Sequence, residues 1–263
     1  MPKLRLVVLL SLAFLLAVSG AGVRRARDAW ADEGWVIRSY NVDYKVNQDS
    51  TIDVVEDIQA DFGSLQKHGI FRYIAQESKY DDKYNQKITI DIAGVDDGQK
   101  AWPYERSVDG INVVLKIGDP NHTISGPQRY RIRYRISGQV REFEDHNEFY
   151  WNVTGAQGWP VTISQVNTSV STLGLTSVAC YQGPVGSTDP CRAQTQASTA
   201  LLSTTKPMPE GSGLTIVIGM TKGVMKVPPP TLVRVKSDAE KVRDFVGIKP
   251  VPMALAAIPG GWL

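Results

Sequence analysis

Apolar and polar residues alternate at every second position along much of this chain, which is the pattern of half-buried β-strands. In residues 129–136, four aromatic or aliphatic side chains share one face of the predicted strand and four arginines share the other. The runs 40–46 and 51–58 alternate in the same way on either side of Gln48-Asp49-Ser50, which predicts a hairpin. Further strand-like runs cover residues 87–92, 111–117, 149–153, 161–170 and 214–218.

These runs predict an all-β fold, an antiparallel β-sandwich-like domain of roughly eight or nine strands. The segment 174–212 is rich in proline, glycine, serine and threonine, so we expect a long loop there rather than a separate domain. Helical periodicity is nearly absent. It occurs after Pro228-Pro229-Pro230, where Ser237 and Glu240 form a capping-box pattern that predicts a short helix through Val246.

The N-terminus has the layout of a signal peptide, with Lys3 and Arg5 ahead of an apolar run, 6–18, and small residues after it. This run is shorter than the roughly 20 apolar residues of a membrane span. We therefore expect cleavage, after Ala21 or, with a better match to the small-x-small pattern, after Ala31. An uncleaved anchor is the alternative, because the basic residues that follow the run would suit a membrane surface.

Export changes the meaning of the net charge, which is +2 for the whole chain. Residues 1–31 hold five of the 29 basic residues and one of the 27 acidic residues, so the remainder carries 24 and 26, or −2. A nucleic-acid partner is therefore not indicated, because binding to phosphate requires a positive patch on the mature protein.

Cys180 and Cys191 are the two cysteines of the chain, and ten residues separate them. In an exported chain this pair predicts one disulfide that closes a loop, with two free thiols as the alternative. The spacing is too long for a CxxC redox or zinc half-site, so we interpret the pair as structural.

A series of short motifs runs in order along residues 33–226. They are Glu33-Gly34-Trp35-Val36-Ile37, Asp53-Val54-Val55-Glu56, Phe62, His68-Gly69-Ile70-Phe71-Arg72-Tyr73-Ile74, Ile117-Gly118-Asp119, Tyr130-Arg131-Ile132-Arg133-Tyr134, Glu148 to Asn152, Trp159-Pro160-Val161, and Cys180 with Gly183. Together they resemble the DUF2207 family of YciQ-like predicted membrane proteins.

In that family an extracytoplasmic β domain follows a signal peptide and precedes transmembrane helices. The resemblance thus implies a signal peptide at 1–31, an extracytoplasmic β domain at 32–226, and a last segment at 227–263. We expect this last segment to comprise the proline-rich linker, the short helix and a truncated membrane-proximal part. The resemblance implies no catalytic residues.

Candidate catalytic chemistry is sparse. A cluster of acidic residues and a histidine could hold a divalent cation, but its spacing matches no calcium loop and a solvated acidic loop is the preferred interpretation. The cluster comprises Glu142, Glu144, Asp145, His146 and Glu148. No serine or cysteine nucleophile with a credible base is found, so we expect neither an enzyme, a metal site nor a cofactor.

The candidate ligand-binding residues are His68, Arg72, Trp151 and Trp159. His68 and Arg72 could bind an anionic group, although the favoured interpretation is a turn at Gly69 after which Phe71 enters the core. Trp151 and Trp159 could form a platform for sugar, with core packing as the favoured alternative.

Four arginines share one strand face and could contact anionic lipid headgroups: Arg129, Arg131, Arg133 and Arg135. The favoured alternative is cross-strand pairing with the acidic strand around Asp53, Glu56 and Asp57.

We expect an exported domain that acts as a binding, sensing or scaffold module of the cell envelope. It would be extracytoplasmic, either membrane-associated or secreted, with a membrane or envelope protein as its partner. One alternative is a hydrolase of envelope glycan, which would require Glu142, Asp145 or Glu148 to converge with Trp151 or Trp159 in a pocket. The other is a module that binds anionic lipid surfaces.

Overall fold

A computed structural model describes residues 33–236 and Glu240. Residues 33–236 contain 18 β-strands and no helix. The strands are β1 (Val36–Val46), β2 (Ile52–Asp61), β3 (Gly69–Ala75), β4 (Glu77–Lys79), β5 (Tyr84–Lys87), β6 (Thr89–Asp96), β7 (Tyr104–Asp109), β8 (Asn112–Gly118), β9 (Pro127–Ser137), β10 (Arg141–Glu142), β11 (His146–Asn152), β12 (Thr162–Ile163), β13 (Val166–Ser171), β14 (Leu175–Pro184), β15 (Arg192–Gln196), β16 (Thr199–Ser203), β17 (Ser212–Thr221) and β18 (Leu232–Arg234).

The largest sheet has eight strands, seven of them in the order β15-β16-β13-β1-β2-β9-β6. The short β12 pairs with the beginning of β1, ahead of β13. β1 is antiparallel to β2 and parallel to β13, so that Asn41 lies opposite Asn167. Because parallel strands cannot be joined by a tight hairpin, the chain runs through β3 to β11 before it returns to β1.

Two smaller antiparallel sheets pack against one face of the large sheet, in the orders β3-β8-β7 and β10-β11-β17-β14. The rings of Tyr44 on β1 and Phe149 on β11 lie 5.6 Å apart between centroids. Glu56 on β2 contacts Arg72 on β3. The remaining strands form a sheet in the order β18-β5-β4.

The buried core lies between these layers and follows from the alternation along the strands. On β2, Ile52, Val54 and Ile58 are buried, while the residues between them are only partly covered. Aromatic and aliphatic residues of β9 extend the same apolar face, since directly opposite residues of paired strands share a face.

The predicted all-β class with antiparallel sheets is confirmed, but the number of strands was predicted too low. The segment 174–212 is not a long loop, because it forms β14, β15 and β16. All five residues of β15 are exposed, so no apolar alternation marks this strand in the sequence. The six residues of β7 are exposed as well and escaped prediction for the same reason.

The predicted disulfide is confirmed between Cys180 on β14 and Cys191, with 5.4 Å between the Cα atoms. A backbone bridge between Tyr181 and Pro190 lies beside it. The cross-link therefore closes the turn between β14 and β15.

The predicted signal peptide lies outside the described residues, as does the predicted helix from Ser237 onwards except for Glu240. In the described part of the chain, no helix has the length and apolar character needed to cross a membrane.

Candidate binding groove

A cavity of about 610 Å³ lies on the outer side of β3 and β8, and we call it the groove. Outward-facing residues of these strands line it, among them Phe71, Tyr73 and Lys116. The segment 154–160, which leads from β11 towards β12, forms a second wall. Glu33 and Trp35, just ahead of β1, also line it, as does Asp109 on β7.

The aromatic residues of β3 face outward, which corrects the expectation that Phe71 enters the core. Ile70, Arg72 and Ile74 are buried, whereas Phe71 is 52% and Tyr73 is 43% exposed. Successive side chains of a strand point to opposite faces, so the inward aliphatic residues place both aromatic rings outside. The predicted turn is also absent, because Gly69 is already the first residue of β3.

Gly69 and Gly118 lie opposite each other at one end of the β3–β8 pair. Their φ angles are +143° and +134°, a region that residues with a side chain rarely adopt. A Cβ on Gly69 would lie 1.8 Å from the carbonyl oxygen of Ile117, and one on Gly118 would lie 1.9 Å from that of His68. Only glycine allows the two backbones to approach this closely at the edge of the groove.

Beneath the groove, Arg72 and Glu56 form an ion pair within the core, and both side chains are almost fully buried. Arg72 Nε donates to Glu56 Oε2 and Nη2 donates to Oε1, each at 2.8 Å. The hydroxyls of Tyr40 and Tyr134 donate to the same carboxylate at 2.8 and 2.6 Å. This fork-to-fork geometry with added hydrogen bonds offsets the cost of burying both charges.

Burial and charge together fix the protonation of this network. Burial raises the pKa of the Tyr40 and Tyr134 hydroxyls well above the ordinary tyrosine value, so both remain donors. Burial alone would lower the pKa of Arg72, but the adjacent Glu56 carboxylate raises it well above its ordinary value. The two hydroxyls and the guanidinium therefore keep their protons, which suits a structural role.

The remaining donors of Arg72 hold the wall of the groove. Nη2 donates to the carbonyl oxygen of Val153 at 3.0 Å, and Nη1 donates to those of Tyr73 at 2.6 Å and Thr154 at 3.4 Å. All five N–H groups of the guanidinium thus have partners inside the protein. In this arrangement Arg72 positions the groove and has no donor left for an anionic ligand.

His68 lies on the rim of the groove. Its Nδ1 is 3.2 Å from the carbonyl oxygen of Asp119 and 3.1 Å from that of His122. Both partners are acceptors, so we assign the proton to Nδ1, which makes Nε2 the acceptor of the neutral ring. A ligand hydroxyl or N–H could donate to Nε2.

The two tryptophans have different positions. Trp159 lines the groove and packs edge-on against Trp35 and Tyr40, with centroid separations of 6.4 and 6.0 Å. Trp151 is buried beside Phe149, at 6.2 Å, and does not line the groove. The structure therefore brings His68, Arg72 and Trp159 to one place but leaves Trp151 in the core.

The charged rim of the groove includes an ion pair between Lys67 Nζ and Glu33 Oε2 at 2.8 Å. Partial burial would raise the pKa of Glu33, but hydrogen bonds from Lys67 and Trp35 hold it below its ordinary value. A general acid needs a raised pKa at neutral pH, so Glu33 is unsuited to that role.

The four arginines of β9 pair with aspartates of the neighbouring strands. Arg129 contacts Asp57 and Arg135 contacts Asp53, both on β2, while Arg131 and Arg133 hold the two oxygens of Asp96 on β6 at 3.0 and 2.6 Å. Glu56 does not take part, because it points to the opposite, buried face of β2. The expected cross-strand pairing is thus found, with Asp96 in place of Glu56.

The acidic cluster 142–148 lies apart from the groove, and none of its residues lines the cavity. His146 Nδ1 lies 2.6 Å from Asp145, and this hydrogen bond lowers the pKa of the Asp145 carboxyl. Within the described residues, no group of three or more histidine, cysteine or acidic side chains is arranged to hold a metal ion.

Sequence reasoning missed Tyr73, Trp35 and the outward position of Phe71. The sequence did contain a signal for them. Arg72 lies at every second position with Ile70 and Ile74, so all three face the same side of β3. In the same way, Glu56 faces the apolar side of β2. A buried charge usually needs a partner, so these two irregularities together predict an inward ion pair and hence outward aromatic residues.

Some solved structures resemble the fold at low sequence identity. Leukotriene A4 hydrolase from Saccharomyces cerevisiae is 9% identical with a TM-score of 0.46, and the match covers 78% of this chain and 32% of that protein. An M1 zinc metallopeptidase from Deinococcus radiodurans is 10% identical with a TM-score of 0.39, covering 71% and 43%. The chain therefore spans less than half the length of either protein, and this distant likeness supports no argument about function.

No curated protein sequence matches the chain. The family model for the N-terminal domain of the DUF2207 predicted membrane proteins matches residues 36–220, well over half of the 263 residues. This range includes every strand from β1 to β16 and nearly all of β17, and thus both walls of the groove. The chain belongs to the DUF2207 family.

Proposed function

We propose that this chain is a binding module of the cell envelope and that its ligand occupies the groove. The observation that carries the proposal is the pair of exposed aromatic rings, Phe71 and Tyr73, in a cavity of about 610 Å³. Binding sites are commonly concave and largely apolar, with a few polar groups that orient the ligand. Here His68 and Lys67 supply such groups at the rim.

The wall of the groove is anchored to the core, because Arg72 donates hydrogen bonds to the carbonyl oxygens of residues 153 and 154 and is paired with Glu56. A site held in its binding shape before the ligand arrives loses less conformational entropy on binding. The groove is therefore suited to recognition without a large rearrangement.

We propose further that the domain is exported and works in an extracytoplasmic, two-layered β-sandwich form, tethered to the membrane or bound to a membrane partner. The N-terminal charge and hydropathy pattern supports export, and the family description supports association with a membrane. Fractionation of producing cells, with intact mass of the mature chain, tests this part. A cytoplasmic chain that retains residues 1–31 would contradict it.

Ligand binding can be tested by tryptophan fluorescence, because Trp35 and Trp159 both line the groove. The probes are a neutral chito-oligosaccharide, polyglutamate and an unstructured neutral peptide. We expect a saturable change with at least one probe, weakened about tenfold or more by Phe71→Ala together with Tyr73→Ala.

The matched control is Tyr84→Ala, because Tyr84 is 38% exposed on β5, in a different sheet. It should leave binding unchanged. No saturable response with any probe, or equal affinity for wild type and the double variant, would overturn the proposal.

A further inference from the structure

Another cavity, of about 250 Å³, lies on the outer side of β11, β17 and β14 and is called the second cavity below. Gly155, Ala156 and Gly158 line both this cavity and the groove. The two depressions are therefore neighbours on one surface, separated by the segment 155–158.

The second cavity also carries exposed aromatic rings, since Tyr150 on β11 is 43% and Tyr181 on β14 is 38% exposed. Tyr150 lies opposite Val217, and Tyr181 lies opposite Thr215 two residues away on the same central strand. Strand spacing and rise place the two tyrosine Cα atoms about 12 Å apart on one face. The arrangement repeats the pair of outward aromatic rings in the groove.

The polar groups of the second cavity are uncharged. Its lining contains hydroxyl and amide side chains but, among the described residues, no aspartate, glutamate, lysine, arginine or histidine. Thr215 Oγ1 donates to Asn152 Oδ1 at 2.7 Å, while the amide hydrogens of Asn152 have no partner among the described residues. Neutral donors and acceptors beside aromatic faces match the hydroxyls and apolar C–H faces of a neutral sugar.

The glycines of the segment between the two cavities hold its backbone close to the protein beneath it. Gly155 and Gly158 have φ angles of +96° and +71°. A Cβ on Gly158 would lie 2.6 Å from the carbonyl oxygen of Ser212, so the backbone lies directly on the start of β17. Gln157 is the one long side chain of this segment and is exposed, so a ligand that crosses from one cavity to the other would pass beside it.

From these observations we infer that the ligand is a linear neutral polysaccharide, bound across the groove, the 155–158 segment and the second cavity. This inference rests on the proposed function and adds the class of ligand and a second subsite. A long ligand that is bound at one subsite is held close to the other, and this high effective concentration raises its affinity. A short oligosaccharide occupies one subsite alone and lacks this gain.

The experiment is calorimetric titration of the full chain with chito- and gluco-oligosaccharides of increasing length. We expect affinity to rise about tenfold or more from the shortest to the longest binding oligomer. Tyr150→Ala with Tyr181→Ala should remove this rise yet leave the affinity for short oligomers unchanged. Phe71→Ala with Tyr73→Ala should weaken binding at every length, and Tyr84→Ala should change neither property.

The failures are distinguishable. If the Tyr150 and Tyr181 variant keeps the full length dependence of the wild type, the second subsite is wrong and the groove remains. If polyglutamate or a peptide binds in the groove and no neutral oligosaccharide does, the ligand class is wrong. If no probe binds, the proposed function fails as well. Thermal unfolding of each variant confirms that it is folded.

Discussion

At the scale of single residues, the Glu56–Arg72 pair decides how the groove is built. Each residue lies on the buried, otherwise apolar face of its strand. Each can be buried there because the other neutralises its charge. The guanidinium also satisfies the carbonyl oxygens of Val153 and Thr154. One side chain therefore joins the core, the strand that carries Phe71 and Tyr73, and the opposite wall.

Removing one member of this pair leaves an uncompensated buried charge, which costs about 3–5 kcal/mol. We expect Arg72→Met to lower the free energy of unfolding by about this amount in urea denaturation. Glu56→Gln combined with Arg72→Met should cost less than the sum of the two single changes, because the double variant buries no unpaired charge.

The exposed pair between Arg38 and Asp61 provides the control, since the Arg38 side chain is largely accessible to water. Arg38→Met should cost less than about 1 kcal/mol. Additive effects of the two changes in the buried pair would show that Glu56 and Arg72 do not depend on each other.

Gly69 provides a second test at this scale. Gly69→Ala should destabilise by more than about 2 kcal/mol, because the new Cβ would collide with the carbonyl oxygen of Ile117. Gly110→Ala is the matched control: its φ is +55° and nothing lies within 4 Å of the added Cβ. The control should cost only about 1–2 kcal/mol, the price of the left-handed conformation. Equal losses in chemical denaturation would contradict the steric explanation.

At the scale of elements, the arginine face of β9 links β2 and β6 through ion pairs. Burial would raise the pKa of Asp96, but the Gly98 N–H and the guanidiniums of Arg133 and Arg131 together hold it below its ordinary value. Together with the Asp53 and Asp57 pairs, these contacts place three carboxylates against the four arginines and join three adjacent strands.

A carboxyl whose pKa is lowered on folding stabilises the folded state above its unfolded pKa, and this stability is lost as pH falls through the folded pKa. We therefore expect the free energy of unfolding to decrease below about pH 4. Asp96→Asn should be less stable than wild type at neutral pH and should show a smaller decrease on acidification. The same acid dependence in both proteins would exclude Asp96 as a contributor.

The disulfide is an element-scale constraint, because it closes the turn that carries Gly183 to Ser187 beside the second cavity. Cys180→Ala with Cys191→Ala should lower the free energy of unfolding by about 2–3 kcal/mol, as expected for a short closed loop. Thermal unfolding with and without reductant provides the measurement. Reductant should shift the wild-type midpoint and leave that of the double variant unchanged.

The strands that the sequence predicted have one buried face, although β3 and β16 have one as well and were not predicted. β9 and the β1–β2 hairpin alternate clearly because water covers one side and the core the other. β7 and β15 are exposed throughout, so only hydrogen bonds to neighbouring strands define them, and these are invisible in a residue pattern. The groove was partly predictable through His68 and Trp159, but Phe71 was assigned to the wrong face because a turn at Gly69 was expected to direct it into the core.

At the scale of the whole molecule, two smaller sheets form a second layer on one face of the large sheet, and the proposed binding surface lies on the outside of that layer. The strands of this second layer support the surface from below through buried residues such as Phe149 and Ile216. Binding and folding are therefore linked: a ligand that spans both cavities should raise the unfolding midpoint by mass action.

The parallel pairing of β1 with β13 has a consequence for how the protein is made. Asn41 and Asn167 are 126 residues apart in the chain, yet their side chains are hydrogen-bonded. At roughly 5–20 residues per second of synthesis, Asn167 is added on the order of 6–25 s after Asn41. During that interval one edge of the β1–β2 hairpin is unpaired and its apolar face uncovered, so the nascent chain has a window in which a chaperone or an aggregation partner competes with β13.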